Sequence, residues 1–178
     1  KKYKSIQEEL HLHVNLDEEF LRIRKIIQND DSPDYLVSRG EYLTGKLLAE
    51  YLGAKFVDAA DVIMFHYDGT IDMKRTSEKL MQYVQGSEKI LIPGFYGATP
   101  NGTIKVMSRG GSDITGAVLA NIVDADVYEN WTDVSGFMVV DPRIIPNPIS
   151  ISRITYSELR EMSYMGANVL HDDSVFPV

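Results

Sequence analysis

Apolar positions along this chain recur at two alternating spacings. Phe20, Ile23 and Ile27 fall three and four residues apart, which makes one face of a helix predicted over 17–28. A second helix is predicted over 34–52 and ends at Gly53, the residue type that best adopts the left-handed conformation closing a helix. Two short apolar runs, 55–58 and 89–93, have the length and flanking residues of buried strands. Further helices are predicted over 77–84, 112–123 and 155–164. The last opens with Thr155 and Glu158 at capping-box spacing. Strands are predicted over 126–132 and 136–140, and loops over 29–33, 58–70, 93–111 and 141–152.

From Lys55 onward strands alternate with helices. That order predicts an α/β domain, a three-layer αβα sandwich around a mostly parallel sheet. No repeat or biased linker divides it. One domain is therefore expected over 1–178, with a helical region over 1–33 and the ligand-binding region over 34–178. In such sheets ligands gather beyond the carboxyl ends of the strands, so the segments after each strand carry the chemistry.

Composition narrows the function. The 178 residues are 44% hydrophobic and 25% charged, a soluble globular profile with enough apolar mass for a core. The formal net charge of -8 argues against a nucleic-acid partner, which would call for a basic face. An acidic chain that binds anions must do so with a few local groups, and Lys105, Arg109 and Arg143 are the cations placed for it. The absence of cysteine excludes disulfides, thiolate metal sites and thiol nucleophiles, and fits a cytoplasmic protein. No apolar run is long enough to span a membrane, so no membrane partner is expected. His11, His13, His66 and His171 lack companions at ligand spacing, so no metal site built by the protein is expected. The chain opens on Lys1 and closes on Phe176-Pro177-Val178, and both ends read as cuts through a longer protein.

Four segments stand out. Ser108-Arg109-Gly110-Gly111-Ser112-Asp113 leads into a helix whose first N–H groups and dipole favour an anion. Arg109 adds a bidentate fork, although a plain glycine turn with Ser112 as cap and Asp113 in the first turn would look the same. Trp131-Thr132-Asp133 and Asp141-Pro142-Arg143 offer groups for a ribose, an adenine edge and phosphate, or else two ordinary polar turns. In Ser38-Arg39-Gly40-Glu41, Glu41 could receive an amine and Ser38 could donate to a carboxylate. Gly40 costs a helix interior about 1 kcal/mol relative to alanine, a hint of close approach; the alternative is a solvated helix face. Pro93-Gly94-Phe95-Tyr96-Gly97 follows a buried strand, where its glycines permit an unusual loop beside a ligand.

Taken in order, these segments resemble the aspartokinases of the amino-acid kinase family. Ser157–Met162 (Ser-Glu-Leu-Arg-Glu-Met) and Gly166-Ala167-Asn168-Val169-Leu170-His171 extend the likeness nearly to the end of the chain. The resemblance implies the amino-acid kinase fold and phosphoryl transfer from ATP, with Mg²⁺, to the β-carboxylate of L-aspartate. That reaction opens the route to lysine, threonine and methionine. It also implies roles one residue at a time. Arg109 would hold the aspartate α-carboxylate, Glu41 its amino group, and Ser38, Ser112 and Phe95 would line the same pocket. Asp113, with Arg109, would serve the transferring phosphoryl, and Thr132, Asp133, Met138, Arg143 and Asn168 would lie along the nucleotide. A homo-oligomeric parent is implied as well.

Departures from the pattern qualify this. Asn168 stands where many relatives carry a lysine, Met138 where some carry a tyrosine, and Ser135 where a proline is frequent. The family's Lys-Phe-Gly-Gly segment and paired regulatory (ACT) modules are not in these 178 residues, so little turnover by this chain alone is expected. The alternatives are a nucleotide-binding relative without catalysis, or another kinase that forms an acyl phosphate.

Overall fold

A computed structural model of the chain describes residues 1–29, 32–108, 110–131, 136–140 and 144–164, and side-chain surroundings as far as 162. It forms two compact units, Lys1–Gly111 and Ser112–Val178.

The first unit is organised by its longest helix. After α1 (Lys2–Glu9) and α2 (Leu16–Ile27) comes α3 (Pro33–Leu52). Ser32 caps α3 by accepting from the Tyr35 N–H, Pro33 sits in its first turn, and Gly53 closes it at φ 61°. The chain then runs through β1 (Lys55–Phe56), α4 (Ala59–Val62), α5 (Met73–Val84), β2 (Ile90–Leu91), β3 (Tyr96–Ala98) and β4 (Ile104–Val106). Strands β1 and β2 pair in parallel, with Lys55 opposite Ile90 and Phe56 opposite Leu91. Strands β3 and β4 form an antiparallel hairpin, and Ala98 also bridges to Met64 in parallel.

Helix α3 lies close on β1 and β2 because Gly45 has no side chain. A Cβ there would stand 2.9 Å from Pro93 Cγ, 3.2 Å from Phe56 and 3.3 Å from Leu91. Tyr42, Leu43, Leu47 and Ala49 bury the same helix. Helix α2 is joined to α3 by polar contacts. Glu19 pairs with Lys46 and, at 2.7 Å, with Arg22, and Tyr42 donates to it at 3.1 Å. The Glu50 carboxylate accepts from the His13 and Val14 N–H groups at 2.7 and 2.8 Å, which ties the α1–α2 connection to the same helix. The core of the unit continues through Val57, Ala59, Val62, Ile63, Phe65, Leu80, Tyr96 and Ala98.

In the second unit α6 (Gly111–Ile122) buries Thr115, Ala117 and Val118, and α7 (Tyr156–Tyr164) buries Leu159. The capping box forms as expected. Glu158 accepts from the Thr155 N–H at 2.8 Å, and its own N–H donates to Thr155 Oγ1 at 3.3 Å.

Several expectations are corrected. The segment predicted as a strand over 126–132 makes no ladder among its described residues. Instead Tyr128 packs on Gly116 and donates to the Asp113 carbonyl at 3.4 Å. The strand expected over 136–140 is a single bridge, Met138 to Ser150. Helix α5 begins at Met73, four residues before the predicted start, because Asp72 caps it by accepting from the Arg75 N–H. The β3–β4 hairpin and α4 lie in segments predicted as loops. Tyr96, Gly97 and Ala98 are all buried, so β3 lacks the alternation that marks a half-exposed strand. Helix α1 buries no residue and has no apolar face to betray it.

Gly97 is the tightest point of the core. A Cβ would run into the Ile63 carbonyl oxygen and stand 2.8 Å from Ile63 Cβ. Gly97→Ala is expected to cost at least about 2 kcal/mol of stability, in the upper range for overpacking. Urea unfolding measures this, and a midpoint equal to that of the parent chain would refute it.

Candidate functional site

Ser38 and Arg39 do not form a solvated face. Ser38 is fully buried, and its hydroxyl donates to the Tyr35 carbonyl at 2.7 Å while accepting from Arg39 Nε and Nη2 at 3.2 and 2.9 Å. Its hydroxyl proton and both lone pairs are engaged inside the unit. Gly40 is exposed, and a Cβ on it would meet nothing closer than the Tyr3 hydroxyl at 3.5 Å. That hydroxyl donates to the Gly40 carbonyl at 3.0 Å, so α1 itself approaches the helix here.

Glu41 differs from every other acid on α3. It is half-buried, and among the described residues it has no hydrogen-bond donor and no cation within ion-pair reach. Burial therefore raises its pKa above the ordinary carboxyl value. Glu19 shows the contrast. Burial also works against its charge, but Lys46, Arg22 and Tyr42 outweigh that and hold it below the ordinary value. A half-buried carboxylate with no partner is placed to receive a ligand's cation.

Phe95 carries backbone strain. Its φ is 62°, which an aromatic residue rarely adopts and which costs about 1–3 kcal/mol. Its carbonyl accepts from the Met107 N–H at 2.7 Å, and its ring meets Tyr96 edge-on at 5.9 Å. The two glycines after Arg109 divide the work. Gly110 takes φ 73°, while a Cβ on Gly111 would stand 2.8 Å from the Cβ atoms of both Phe95 and Met107. Gly111 thus lets the backbone at the end of the first unit pass close beside the strained Phe95.

In the second unit Ser112 is exposed in the first turn of α6. The Asp113 carboxylate accepts from Asn130 Nδ2 at 3.2 Å, and no other donor to it occurs among the described residues. Tyr128 and Asn130 therefore orient the acid. Sequence reasoning missed both, because a side chain reaching back from 15 or 17 residues downstream leaves no local signal. Met138 is partly buried at its bridge to Ser150. Arg109, Thr132, Asp133, Arg143 and Asn168 lie outside the described residues. Within the first unit the structure thus sets Ser38 and Glu41 on one stretch of α3 and Phe95 on the β2–β3 connection; within the second it sets Ser112 and Asp113 on one turn of α6.

The fold agrees with what the chain resembles. The model of the amino acid kinase family matches residues 3–178, and the chain belongs to that family. Relatives that it matches include aspartokinases and bifunctional aspartokinase/homoserine dehydrogenases. Aspartokinase 3 of Bacillus subtilis (strain 168) is 37% identical over 152 residues, which cover 81% of this chain and 34% of that protein. The crystal structure of Clostridium acetobutylicum aspartate kinase superposes with a TM-score of 0.88 at 49% identity, over 98% of this chain and 39% of that one. Escherichia coli aspartokinase III, solved in complex with aspartate and ADP in its R-state, has a TM-score of 0.79 at 27% identity, over 99% of this chain and 46% of that one. The chain spans about a third of the length of the Bacillus relative.

The unpaired Glu41 makes a prediction about pH. A carboxyl whose pKa is higher in the folded than in the unfolded chain contributes stability below the unfolded pKa and loses it as pH rises through the folded pKa. Glu41→Gln is therefore expected to raise the melting temperature at neutral pH and to match the parent chain in acid, where both side chains are neutral. Thermal melts at pH 7 and pH 4 test this; a lower melting temperature for the variant at pH 7 would show that the carboxylate has a stabilising partner.

Proposed function

We propose that the protein to which this chain belongs is an aspartate kinase, transferring the γ-phosphoryl of MgATP to the β-carboxylate of L-aspartate. The observation that carries the reading is Glu41, a half-buried carboxylate without a cation in a chain whose relatives are aspartate kinases. An amino-acid substrate brings the ammonium group this carboxylate lacks.

On this reading Glu41 binds the α-ammonium and Arg109 the α-carboxylate of aspartate. Ser112 and Phe95 bound the same pocket, and Ser38 acts from behind by fixing Arg39 and the turn that carries Glu41. A β-carboxylate oxygen attacks the γ-phosphorus, the bond from that phosphorus to the β–γ bridging oxygen breaks, and ADP leaves. Both reactants are anionic, so catalysis is positioning and charge neutralisation. Mg²⁺ supplies part of that neutralisation when bound with the nucleotide. Asp113, held by Asn130, orients the groups around the phosphoryl. Thr132, Asp133 and Met138 attend the nucleoside, and Arg143 and Asn168 the phosphates. The parent protein works in the cytoplasm as a homo-oligomer, at the entry to lysine, threonine and methionine synthesis. Among the described residues no helix is long and apolar enough to cross a membrane.

The test is titration of L-aspartate and MgATP into this chain and into the full parent protein, beside Arg109→Ala and Glu41→Gln, with turnover measured in the parent. A charge-assisted hydrogen bond contributes about 1.5–3 kcal/mol, so each variant should weaken aspartate on the order of ten- to a hundredfold and leave the nucleotide nearly unaffected. Aspartate affinity unchanged in both variants would sink the substrate assignment. Nucleotide binding without turnover by the parent would make it a non-catalytic relative.

A further inference from the structure

The opposite side of α3 from Glu41 holds a second set of groups that the kinase reading does not use. Residues two apart on a helix point about 200° from each other, so Arg39 and Glu41 serve different faces. On the Arg39 side, α2, the start of α3, Asp58 and the β3–β4 turn enclose a cleft of about 440 Å³. Arg22, Ser32, Tyr35, Arg39 and Asp58 line it, with the turn of Asn101, Gly102 and Thr103 as its rim.

Arg39 is only 6% exposed, yet among the described residues no carboxylate lies within 4.0 Å of it. A buried guanidinium is ordinarily paired. Its Nε is shared between the Tyr35 carbonyl and Ser38 Oγ, and Nη2 reaches Ser38 Oγ, while Nη1 has no acceptor among the described residues. Among the described residues no buried side-chain nitrogen or oxygen lacks a partner, so Nη1 keeps some exposure, and Arg39 lines the cleft. Arg22 is the second cation. Both guanidinium groups lie over the Tyr42 ring, Arg22 at 5.6 Å and Arg39 at 4.6 Å from its centroid. The carboxylates nearby have partners of their own, although Asp58 also lines the cleft. Glu19 is shared by Arg22 and Lys46, and Asp58 Oδ1 accepts from the Tyr96 hydroxyl and the Ala60 N–H. In a chain of net charge -8, this cleft concentrates two guanidinium groups with donors to spare.

We propose that the cleft is a second oxyanion site, separate from the amino-acid pocket, which takes the phosphate or carboxylate group of a small ligand on the Arg39 and Arg22 guanidinium groups. Arg39 supplies a fork already held in place by Ser38 and the tyrosine rings, so little side-chain freedom is lost on binding. The proposal does not depend on the kinase assignment.

The test titrates inorganic phosphate and, separately, acetate into the full chain at constant ionic strength, with the arginine Nε–H signals followed by NMR. The Arg22 and Arg39 signals should move together on one saturating curve in at least one arm, and that arm names the chemistry. Arg22→Gln should weaken binding at least tenfold. Arg39→Lys, which keeps the charge and loses the fork, should do the same if Arg22→Gln fails to fold. Arg24→Gln, at an exposed position of α2, should leave binding unchanged. Shifts that never saturate, equal weakening by Arg24→Gln, or displacement of the anion by L-aspartate would each overturn the proposal.

Discussion

The Arg39 guanidinium lies over three tyrosine rings, 4.5 Å from the centroid of Tyr35, 4.6 Å from Tyr42 and 5.3 Å from Tyr96. Two of the rings then pass the connection on. Tyr42 donates to Glu19 and so reaches α2; Tyr96, fully buried in β3, donates to Asp58 at the start of α4. Burial, and then the Asp58 carboxylate, push the Tyr96 hydroxyl far above its usual pKa, so it stays a donor at any physiological pH. One buried cation thereby joins α2, α3, α4 and β3 through rings and hydrogen bonds, on the same face of α3 as the core residues Tyr42, Leu43 and Leu47. Cation–π contacts of this kind contribute about 0.5–2 kcal/mol each, and a network in which every buried group is satisfied specifies one arrangement of helices.

Features that count against stability occur at residues to which the kinase reading gives a part. Glu41 is half-buried, without a partner among the described residues, and burial raises its pKa. Phe95 is held in the left-handed region, with Gly111 against it. Gly40 forgoes helix propensity on the same turn as Glu41. Surrounding structure tolerates such costs when they pre-organise a binding surface.

How much could be read in the sequence follows from how local each cause is. Helices α2 and α3 were legible because their apolar period, Ser32 cap and Gly53 stop all act within one element. The capping box of α7 was legible for the same reason. Helix α1 and the β3–β4 hairpin were not, since one has no buried face and the other is buried on both. The stretch after α6 looked like a strand from its apolar residues, but Tyr128 and Asn130 turn back onto the helix.

The motifs of the candidate site were likewise legible, because an acid, an arginine or a glycine pair at a fixed spacing is a property of the chain. The sequence by itself determined the α/β class, the family resemblance and the identity of the polar groups in the candidate segments. Only the tertiary structure decided that Ser38 is engaged inward, that Glu41 has no partner among the described residues and that Arg39 is buried among tyrosines. The reason is that burial and pairing are set by residues distant in sequence, such as Tyr96 and Asp58 around Arg39, and no local pattern records who those neighbours are.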